Sequence, residues 1–475
     1  MNPTAATVLL AAAFVSPALQ AQEPPAPPPP VPQAASKKPA APKELEEIVV
    51  VATRRAEDPY DVPQATDVVS GKRLKERPPA TFGDVFRGVP GVWQTESGNG
   101  RGKTPVIRGL TGNQILTLFD GRRLNNAMFP PPGPFTLHDT IDPEDIERVE
   151  VLKGPGSVLY GTGAVGGVVN VIPKEPPSFT PGGTLGGELR LRGSSADNGF
   201  RTRMVGEGAT AGTRFRVGAT HETLGDLRTG DGLILSPLAQ QSQHLDGTFY
   251  LATGEDSNLR FRGEFSRLDS DRDFLSPGTP RTTTTDRSSW GLTWNRENLG
   301  SPLADKIKLR LWNATWDSTS TRFDRLDRRA RKVDTWGVDL QADSKWREGQ
   351  RWTWGMEAYI DQASDLRILS SGPENGVPDG NQLHVAGYAQ DELKVLDDLE
   401  IVAGLRGNFF RTTTSPRAAT LPAGIRLSEA DIAENEFTFT GSLGAVAHLS
   451  DAVSLAANGG RGFRVPGIRD LAGVN

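Results

Sequence analysis

The sequence predicts a transmembrane antiparallel β-barrel that follows a smaller N-terminal α+β domain. After Gly183, polar and apolar residues alternate in many segments, and arginine or lysine occupies every second position in stretches such as 188–192 and 306–311. Such charges are tolerated in a wet barrel lumen but are costly on a lipid face. About thirteen candidate strands of this kind follow Gly183, many close to the roughly 9–11 residues that cross a bilayer.

Tryptophan placement and hydropathy support the same fold class. Eight of the nine tryptophans lie from Trp290 to Trp354, often at the ends of candidate strands, as expected for aromatic girdles at the membrane interfaces. No run of eighteen apolar residues follows the N-terminus, which disfavours a helical membrane protein. A soluble β-sandwich or propeller would also alternate, but it would bury one face more uniformly.

The amino-acid composition indicates which partners and which cellular compartment to expect. The net charge of −5 is mild and basic residues are spread along the chain, so we expect no nucleic-acid partner. The chain has no cysteine, which suits an exported protein that avoids stray disulfides.

The N-terminal residues predict export, a flexible tether and a docking strand. Residues 1–21 have an apolar stretch and a small-residue exit that predict a signal peptide, although no Lys or Arg precedes the apolar stretch. Residues 22–45 are rich in proline and alanine and predict an extended periplasmic linker. Residues 46–53 combine an acidic start with a β-branched run, as strand addition to another protein's sheet requires. The alternative is a first strand of the following domain.

Residues 56–177 contain several short elements with strong local signals. A helix is predicted within 77–92, with Thr81 as its N-cap. The step Asp120-Gly121 lies between two apolar runs and predicts a tight hairpin. These signals indicate a compact domain of short strands and helices.

The most informative stretch is 146–172, which reads IERVEVLKGPGSVLYGTGAVGGVVNVI. A charged strand is followed by a turn at Gly154-Pro155-Gly156 and by a short amphipathic piece at 158–160. Residues 168–172 are mostly β-branched and predict a buried strand. The stretch therefore joins two strands through a glycine-broken turn, without a catalytic group.

Together these segments resemble the plug domain of the TonB-dependent outer-membrane receptors. The motif at 107–109, the DG-R element at 120–123 and the stretch 146–172 occur in family order. The resemblance implies a TonB box at 46–53, a plug domain at 56–177 and the N-terminal portion of an outer-membrane β-barrel at 183–475. Similar segments at 387–392 and 461–466 look like mid-barrel strands.

The resemblance also implies a longer barrel than this chain supplies. The family's barrel has about 22 strands around the plug. The roughly 290 residues after the plug supply about 13 of them. We therefore expect an incomplete barrel, from a truncated gene product or a partial sequence.

A dinucleotide-binding interpretation of residues 161–166 is weak. These residues satisfy the pattern G-x-G-x-x-G, but no long helix follows and no ribose-binding acid lies about twenty residues further on. We find no nucleophile, base and orienting group that belong together. We therefore expect no enzyme activity, no catalytic residue, no metal site and no resident cofactor.

The resemblance implies active import of a scarce extracellular ligand, with the plug gating the barrel. The C-terminal domain of TonB in the periplasm would bind the TonB box, that is, Glu47, Ile48, Val49, Val50, Val51 and Ala52. Outer-membrane lipid and the extracellular ligand or its carrier protein are the other expected partners. A truncated, non-transporting fragment and a plug-bearing binding or signalling module are the alternatives.

Three charged plug residues are candidates for holding the gate closed. We expect Arg108, Arg148 and Glu150 to form ion pairs or hydrogen bonds within the plug or with barrel carboxylates. The alternative is that they are solvated strand ends.

Two plug loops, 94–103 and 125–138, are expected to face the extracellular side and to contact the ligand. Imidazole binds iron well, so a histidine beside the second loop makes haem a candidate ligand. Ferric siderophores are the broad alternative and cobalamin a smaller one. The candidate ligand-binding residues are Gln94, Arg101, Asn125, Phe129, Phe135 and His138.

Overall fold

The computed structural model of the 475-residue chain describes most residues after the predicted linker. The predicted signal peptide, the linker and the first part of the TonB box, through Val50, lie outside the described residues. The described ranges are 51–55, 57–96, 103–128, 137–272, 281–323, 327–370, 372–415, 432–450 and 453–471.

The N-terminal domain is built on a five-stranded mixed sheet with the order β1-β6-β7-β4-β5. β4 and β7 are parallel, the other neighbours are antiparallel, and β2 pairs with β3 as a separate hairpin. The strands are β1 (Thr66–Val69), β2 (Val92–Glu96), β3 (Lys103–Ile107), β4 (Ile115–Phe119), β5 (Arg122–Arg123), β6 (Ile146–Lys153) and β7 (Gly167–Pro173). The α-helices are α1 (Gly71–Glu76) and α2 (Ser157–Tyr160), and four 3₁₀ helices cover Phe82–Phe86, Gly112–Gln114, Leu137–Thr140 and Pro143–Asp145.

The predicted hairpin and the predicted β-turn-β stretch are both present. Asp120 and Gly121 have φ angles of 55° and 71°, as the two central residues of a type I′ turn require. β6 and β7 pair antiparallel across α2, which follows the predicted turn at 154–156. These local predictions are confirmed because each depends on a backbone conformation that few other residue types adopt.

The helix predicted within 77–92 is present with Thr81 at its N-cap, but it is a 3₁₀ helix and not an α-helix. Only Phe82–Phe86 is helical, as a 3₁₀ helix, and Thr81 forms a capping box with Asp84 at its start. Gly88, with a φ of 73°, stops the helix. The three apolar side chains at helical spacing, Phe82, Val85 and Phe86, are therefore buried by a single short helical segment.

Apolar side chains cover both faces of the five-stranded sheet. Phe86 and Val149 belong to the cluster on one face. Leu118 and Leu152 belong to the cluster on the other face, where Val51 is also completely buried. The chain before β1 therefore packs as part of the domain. None of the helices in the described part of the chain is both long enough and apolar enough to cross a membrane.

The second domain is a thirteen-stranded antiparallel sheet in which neighbours in sequence are neighbours in space. Its edge strands are β8 and β22, and β11 (Leu227–Arg228) pairs with β12 (Ile234–Leu235) outside it. Its strands are β8 (Thr184–Ser194), β9 (Gly199–Ala209), β10 (Thr213–Leu224), β13 (Gln240–Gly254), β14 (Ser257–Arg272), β15 (Arg281–Arg296), β16 (Lys306–Arg322), β17 (Asp327–Arg347), β18 (Gln350–Leu369), β19 (Gly372–Leu396), β20 (Leu399–Ser415), β21 (Ile432–Ser450) and β22 (Val453–Gly460). A short helix, α3 (Ile468–Leu471), follows.

The strands alternate as predicted, with charged side chains on one face and apolar side chains on the other. Arg203 is 1% exposed, whereas the next residue, Met204, is 59% exposed. Arg262 and Phe261 show the same contrast. Several strands are much longer than a bilayer requires, because polar segments such as 281–287 continue the pairing instead of forming loops.

Candidate functional site

The plug is held against the inner face of the sheet by buried ion pairs. Asp142 accepts hydrogen bonds from Arg201 and from Arg203 Nη1, the latter at 2.8 Å. Asp145 accepts from Arg262 Nη2 at 2.5 Å and from Arg203 Nη2 at 3.3 Å. All five side chains are at most 6% exposed. The loop before β6 is therefore fixed to β9 and β14.

The charge of Asp142 is stabilised by this arrangement. Burial alone would raise the pKa of the carboxyl, but the guanidinium groups of Arg201 and Arg203 and the Thr220 hydroxyl hold the pKa well below its usual range. The Thr220 hydroxyl donates to Asp142 Oδ2 at 2.6 Å. Asp142 is therefore an ionised carboxylate inside the protein, fully supplied with donors.

The tip of the β4–β5 hairpin makes a second set of contacts with the inner face of the thirteen-stranded sheet, which we call the wall. Arg260 Nη1 donates to Asp120 Oδ2 at 2.6 Å, and Arg310 Nη1 donates to the Asp120 carbonyl at 2.8 Å. Arg122 Nη2 lies 3.3 Å from Glu264 Oε1. The hairpin thus contacts β14 and β16 through a backbone carbonyl, through the acidic side chain of Asp120 and through the basic side chain of Arg122.

The N-terminal segment, residues 51–55, is joined to the plug and to the wall at the same time. The Val51 N–H donates to Glu150 Oε2 at 2.9 Å. Arg54 Nη1 donates to the Tyr388 hydroxyl at 2.7 Å, and its guanidinium carbon lies 4.8 Å and 4.5 Å from the ring centroids of Tyr160 and Tyr388. Arg54 Nη2 is also 3.5 Å from Glu357 Oε2. One arginine therefore connects the segment to α2, β18 and β19.

This segment lies at the end of the sheet where most connections between strands have two or three residues, although the β15–β16 connection has nine. Arg55 pairs with Glu392, and Arg351 Nη1 is 3.2 Å from Glu57 Oε1. Arg351 and Glu392 are close to the turns at 348–349 and 397–398. The short turns are the periplasmic end of a barrel of this kind.

Of the predicted gating residues, two form an ion pair inside the plug. Arg148 Nε is 2.8 Å from Glu150 Oε1, and Glu150 is fully buried. Arg108 is exposed, with a φ of 51°, in the turn after β3, and within the described residues its guanidinium forms no salt bridge. A role of these three residues in gating stays a prediction.

A cavity of about 410 Å³ lies between the plug and the wall. The plug contributes Asn113, Arg123 and Asn125, and the β18 strand contributes Tyr359 and Asp361. The segment after β22 closes another side. The further residues that line the cavity are Asn126, Ala127, Thr162, Gly163, Gln382, Arg464, Val465, Gly467, Arg469 and Asp470.

Of the three predicted ligand-binding residues that the structure describes, Asn125, Gln94 and His138, one lines this cavity. Asn125 does so, but its amide is also structural, because it accepts from the Thr117 N–H at 2.8 Å and donates to the Ile115 carbonyl at 3.1 Å. Gln94 is half-buried in β2 and does not line the cavity. Arg101, Phe129 and Phe135 lie outside the described residues.

His138 is placed differently from what a haem ligand requires. The ring is buried inside the plug, where Nε2 is 2.8 Å from Thr117 Oγ1 and the ring stacks on Phe82 at 5.3 Å. Burial lowers the pKa of the imidazole to about 4, so the ring is neutral at pH 7. In this arrangement His138 does not reach the cavity. Within the described residues, no group of three or more His, Asp or Glu side chains could hold a metal ion.

The segment 461–466 was predicted as a strand and is not one. β22 ends at Gly460, and the chain then crosses onto the plug. The Gly163 N–H donates to the Phe463 carbonyl at 3.0 Å, and the Val465 N–H donates to Thr162 Oγ1 at 2.8 Å. The motif was visible in the sequence, but its conformation depends on the plug surface, which supplies the hydrogen-bond partners.

Family comparisons agree with this architecture. Residues 58–168 match the profile described as TonB-dependent Receptor Plug Domain, and residues 192–475 match TonB dependent receptor-like, beta-barrel. The chain therefore belongs to the TonB-dependent receptors, the plugged β-barrels of the outer membrane.

Individual relatives cover the chain to different extents. The Vitamin B12 transporter BtuB of Vibrio vulnificus is 41% identical over 125 residues, which is 26% of this chain and 20% of that protein. The Hemin receptor of Yersinia pestis is 24% identical over 385 residues, 75% of this chain and 53% of that protein. The hemophore receptor HasR of Serratia marcescens has a similar fold, with a TM-score of 0.73, 18% identity and coverage of 86% of this chain and 65% of that one. The chain thus spans less than two thirds of each relative's length.

Proposed function

We propose that the complete protein imports a scarce ligand, a ferric siderophore or haem, across the outer membrane in a TonB-dependent manner. The observation that carries this proposal is the position of residues 51–55. They are attached to the plug through Glu150 and to the wall through Arg54, at the end of the sheet with the short turns. A pull on the residues before Val51 would therefore act on the plug and on its contact with the wall together.

The strength of the contacts differs between the two ends of the plug. The N-terminal segment contributes one backbone hydrogen bond to Glu150 and the contacts of its arginines. The loop at Asp142 and Asp145 is held by three fully buried guanidinium groups. The pairs of Arg54 and Arg55, whose side chains are 13% and 14% exposed, are less buried than the pairs of Asp142 and Asp145, and breaking a fully buried pair costs about 3–5 kcal/mol, so the N-terminal segment should separate first.

The names of the relatives support the proposed ligand class, a ferric siderophore or haem, only in part. The relatives are named for vitamin B12 and for hemin, and those ligands belong to those proteins. For this chain, haem or a ferric siderophore would be cargo and not a resident cofactor, with cobalamin as the alternative. The expected partners are the C-terminal domain of TonB, the surrounding outer-membrane lipid and a ligand or its carrier protein.

The test is uptake of radiolabelled ligand by cells that express the protein, with and without TonB. Ile48→Pro should abolish uptake but not ligand binding, because proline lacks the N–H that strand addition requires. Ile48→Ala, the matched control, should retain uptake. Uptake that persists in the proline variant or in cells without TonB would contradict the proposal.

A further inference from the structure

The outer, apolar face of the thirteen-stranded sheet carries a row of glycines that crosses neighbouring strands. Gly206, Gly247 and Gly263 lie on β9, β13 and β14, and Gly247 shares its face with the exposed side chain of Phe249. A glycine weakens a strand and often marks a place where another molecule approaches the backbone closely. In the strand register the complete row is Gly187, Gly206, Val217, Gly247, Gly263 and Trp290.

This row is the floor of an open trough of about 750 Å³ on the outer face of the sheet. Met204, Leu245 and Phe265 form a ridge on one side of the trough. Phe249 and Phe261 form a ridge on the other side. All five side chains are exposed. Because the two ridges are four residues apart along a strand, their backbones are separated by roughly 13 Å.

The dimensions of the trough fit a single hydrocarbon chain. The trough crosses five strands, from β9 to β15, which is about 19 Å at the usual distance between strands. The hydrocarbon of one leaflet is about 15 Å thick, half of the bilayer core, so an extended acyl chain has a similar length. An α-helix with its side chains is about 10–12 Å wide and does not fit between the ridges once their own side chains are in place.

A polar belt sets the depth of the trough in the membrane. Gln243, Arg267 and Asp286 are neighbours in register on β13, β14 and β15, and Arg267 Nε lies 3.8 Å from Asp286 Oδ1. Arg267 is four residues from Gly263 on the same strand, toward the end opposite the short turns. Since the short turns are periplasmic, the trough lies below the extracellular polar boundary, at the depth of the outer leaflet.

The strands that form the trough also hold the plug on their inner face. Arg203 precedes Met204 on β9, and Arg262 precedes Gly263 on β14. The two guanidinium groups pair with Asp142 and Asp145 of the plug. A molecule in the trough would therefore contact the outer side of the same strands that fix the plug.

From this geometry we propose that the trough binds one saturated acyl chain of an outer-leaflet lipid. The methylene groups lie on the glycine backbone between the two ridges, where many weak dispersion contacts add up. Trp290, whose ring packs edge-to-face on Trp336 at 5.7 Å, bounds the trough at β15. A straight chain follows the row, whereas a chain bent by a cis double bond leaves it. The inference concerns the lipid-facing surface and does not depend on the imported ligand.

The first test identifies the lipid that the protein retains. The full chain is extracted from the outer membrane in detergent, and native mass spectrometry counts the lipid A and phospholipid molecules that remain bound. Gly247→Leu and Gly263→Leu fill the trough; a Cβ added at these positions meets its nearest atom at 3.7 Å and 3.5 Å, so the strands need not shift. We expect the wild type to retain one lipid A that both leucine variants lose.

The second test examines the shape of the chain with two lipids that share a headgroup. Dipalmitoyl and dioleoyl phosphatidylethanolamine are titrated into the delipidated protein, and binding is followed by the same method. We expect the wild type to bind the saturated lipid about ten-fold more tightly, a difference of about 1.4 kcal/mol. Both leucine variants should bind the two lipids equally, because the trough is filled.

Gly387→Leu is the matched control for both tests. Gly387 is an exposed glycine on the outer face of β19, where the nearest atom to an added Cβ is the Gly355 carbonyl oxygen at 4.0 Å. This variant should retain lipid A and prefer the saturated lipid as the wild type does. Heat-modifiability on gels checks that each variant is folded.

Several outcomes would overturn the inference. Equal lipid retention by the wild type and both folded leucine variants would show that the trough holds no chain. Loss of a phospholipid instead of lipid A would contradict the outer-leaflet assignment. A wild-type dimer that becomes monomeric in both variants would make the trough an interface between two copies. If the leucine variants do not fold, equal affinity of the wild type for the saturated and unsaturated lipids would still refute the proposal.

Discussion

Removing the charge of Asp142 should loosen the plug from the inner face of the sheet, because two buried arginines pair with this carboxylate. Asp142→Asn keeps the shape of the side chain and its acceptor for the Glu144 N–H, which it now binds at 2.9 Å. It removes the negative charge that faces Arg201 and Arg203. Removing one partner of a buried pair costs about 3–5 kcal/mol.

The lower end of that range applies here, because both arginines keep other carboxylates. Arg201 Nη1 remains 3.1 Å from Glu222 Oε2, and Arg203 Nη2 remains 2.9 Å from Asp246 Oδ1. We therefore expect a loss of about 3 kcal/mol, which raises the population of the opened plug more than about 100-fold.

The assay is hydrogen exchange of the β6 and β7 amides, read by mass spectrometry on the protein in detergent. Their exchange reports the free energy of opening of the plug sheet. Glu147→Gln, an exposed neutralisation on β6, is the matched control and should change that free energy by less than about 0.5 kcal/mol. If Asp142→Asn exchanges like the wild type, the buried pairs do not hold the plug in place.

Two further predictions concern buried groups of the plug. The pKa of His138 is about 4 in the folded protein and 6.5 in the unfolded chain, so the unfolded chain binds the additional proton between these values. Plug stability should fall by up to about 3 kcal/mol as pH decreases through this window, and His138→Gln should remove that part of the pH dependence in thermal unfolding. Glu150→Ala leaves the Val51 N–H without its carboxylate acceptor, and we expect cleavage by trypsin after Arg54 to accelerate about ten-fold. Glu147→Ala on the same strand should cleave at the wild-type rate; equal rates for both variants would show that the segment is held elsewhere.

Much of the fold could be predicted because its signals are local. The hairpin at Asp120 and Gly121 depends on two positive φ angles, which the residue types themselves favour. The barrel strands depend on an alternation that separates lumen from lipid along each strand, whichever strands are its neighbours. The ion pair of Arg148 with Glu150 also follows from sequence, since residues two apart on a strand share a face.

The differences from prediction share one physical cause, which is dependence on a distant partner. The helix predicted within 77–92 is present, but as a short 3₁₀ helix that the plug core buries. The segment 461–466 has strand-like residues, yet its hydrogen-bond partners lie on the plug at Thr162 and Gly163. His138 stands beside a proline-rich loop in the sequence, but the fold turns its ring inward onto Phe82.

By itself, the sequence determined the class of fold, the order of plug and barrel, and which face of each strand carries charge. These properties follow from backbone preference and from the period of two along a strand, which need no knowledge of the neighbours. Only the tertiary structure decided which charges meet. Arg203 and Asp142 are 61 residues apart and Arg54 and Tyr388 are 334 apart, so each contact depends on strand register and on how the plug lies in the lumen. The ion pairs that fix the plug exist only once that packing is complete.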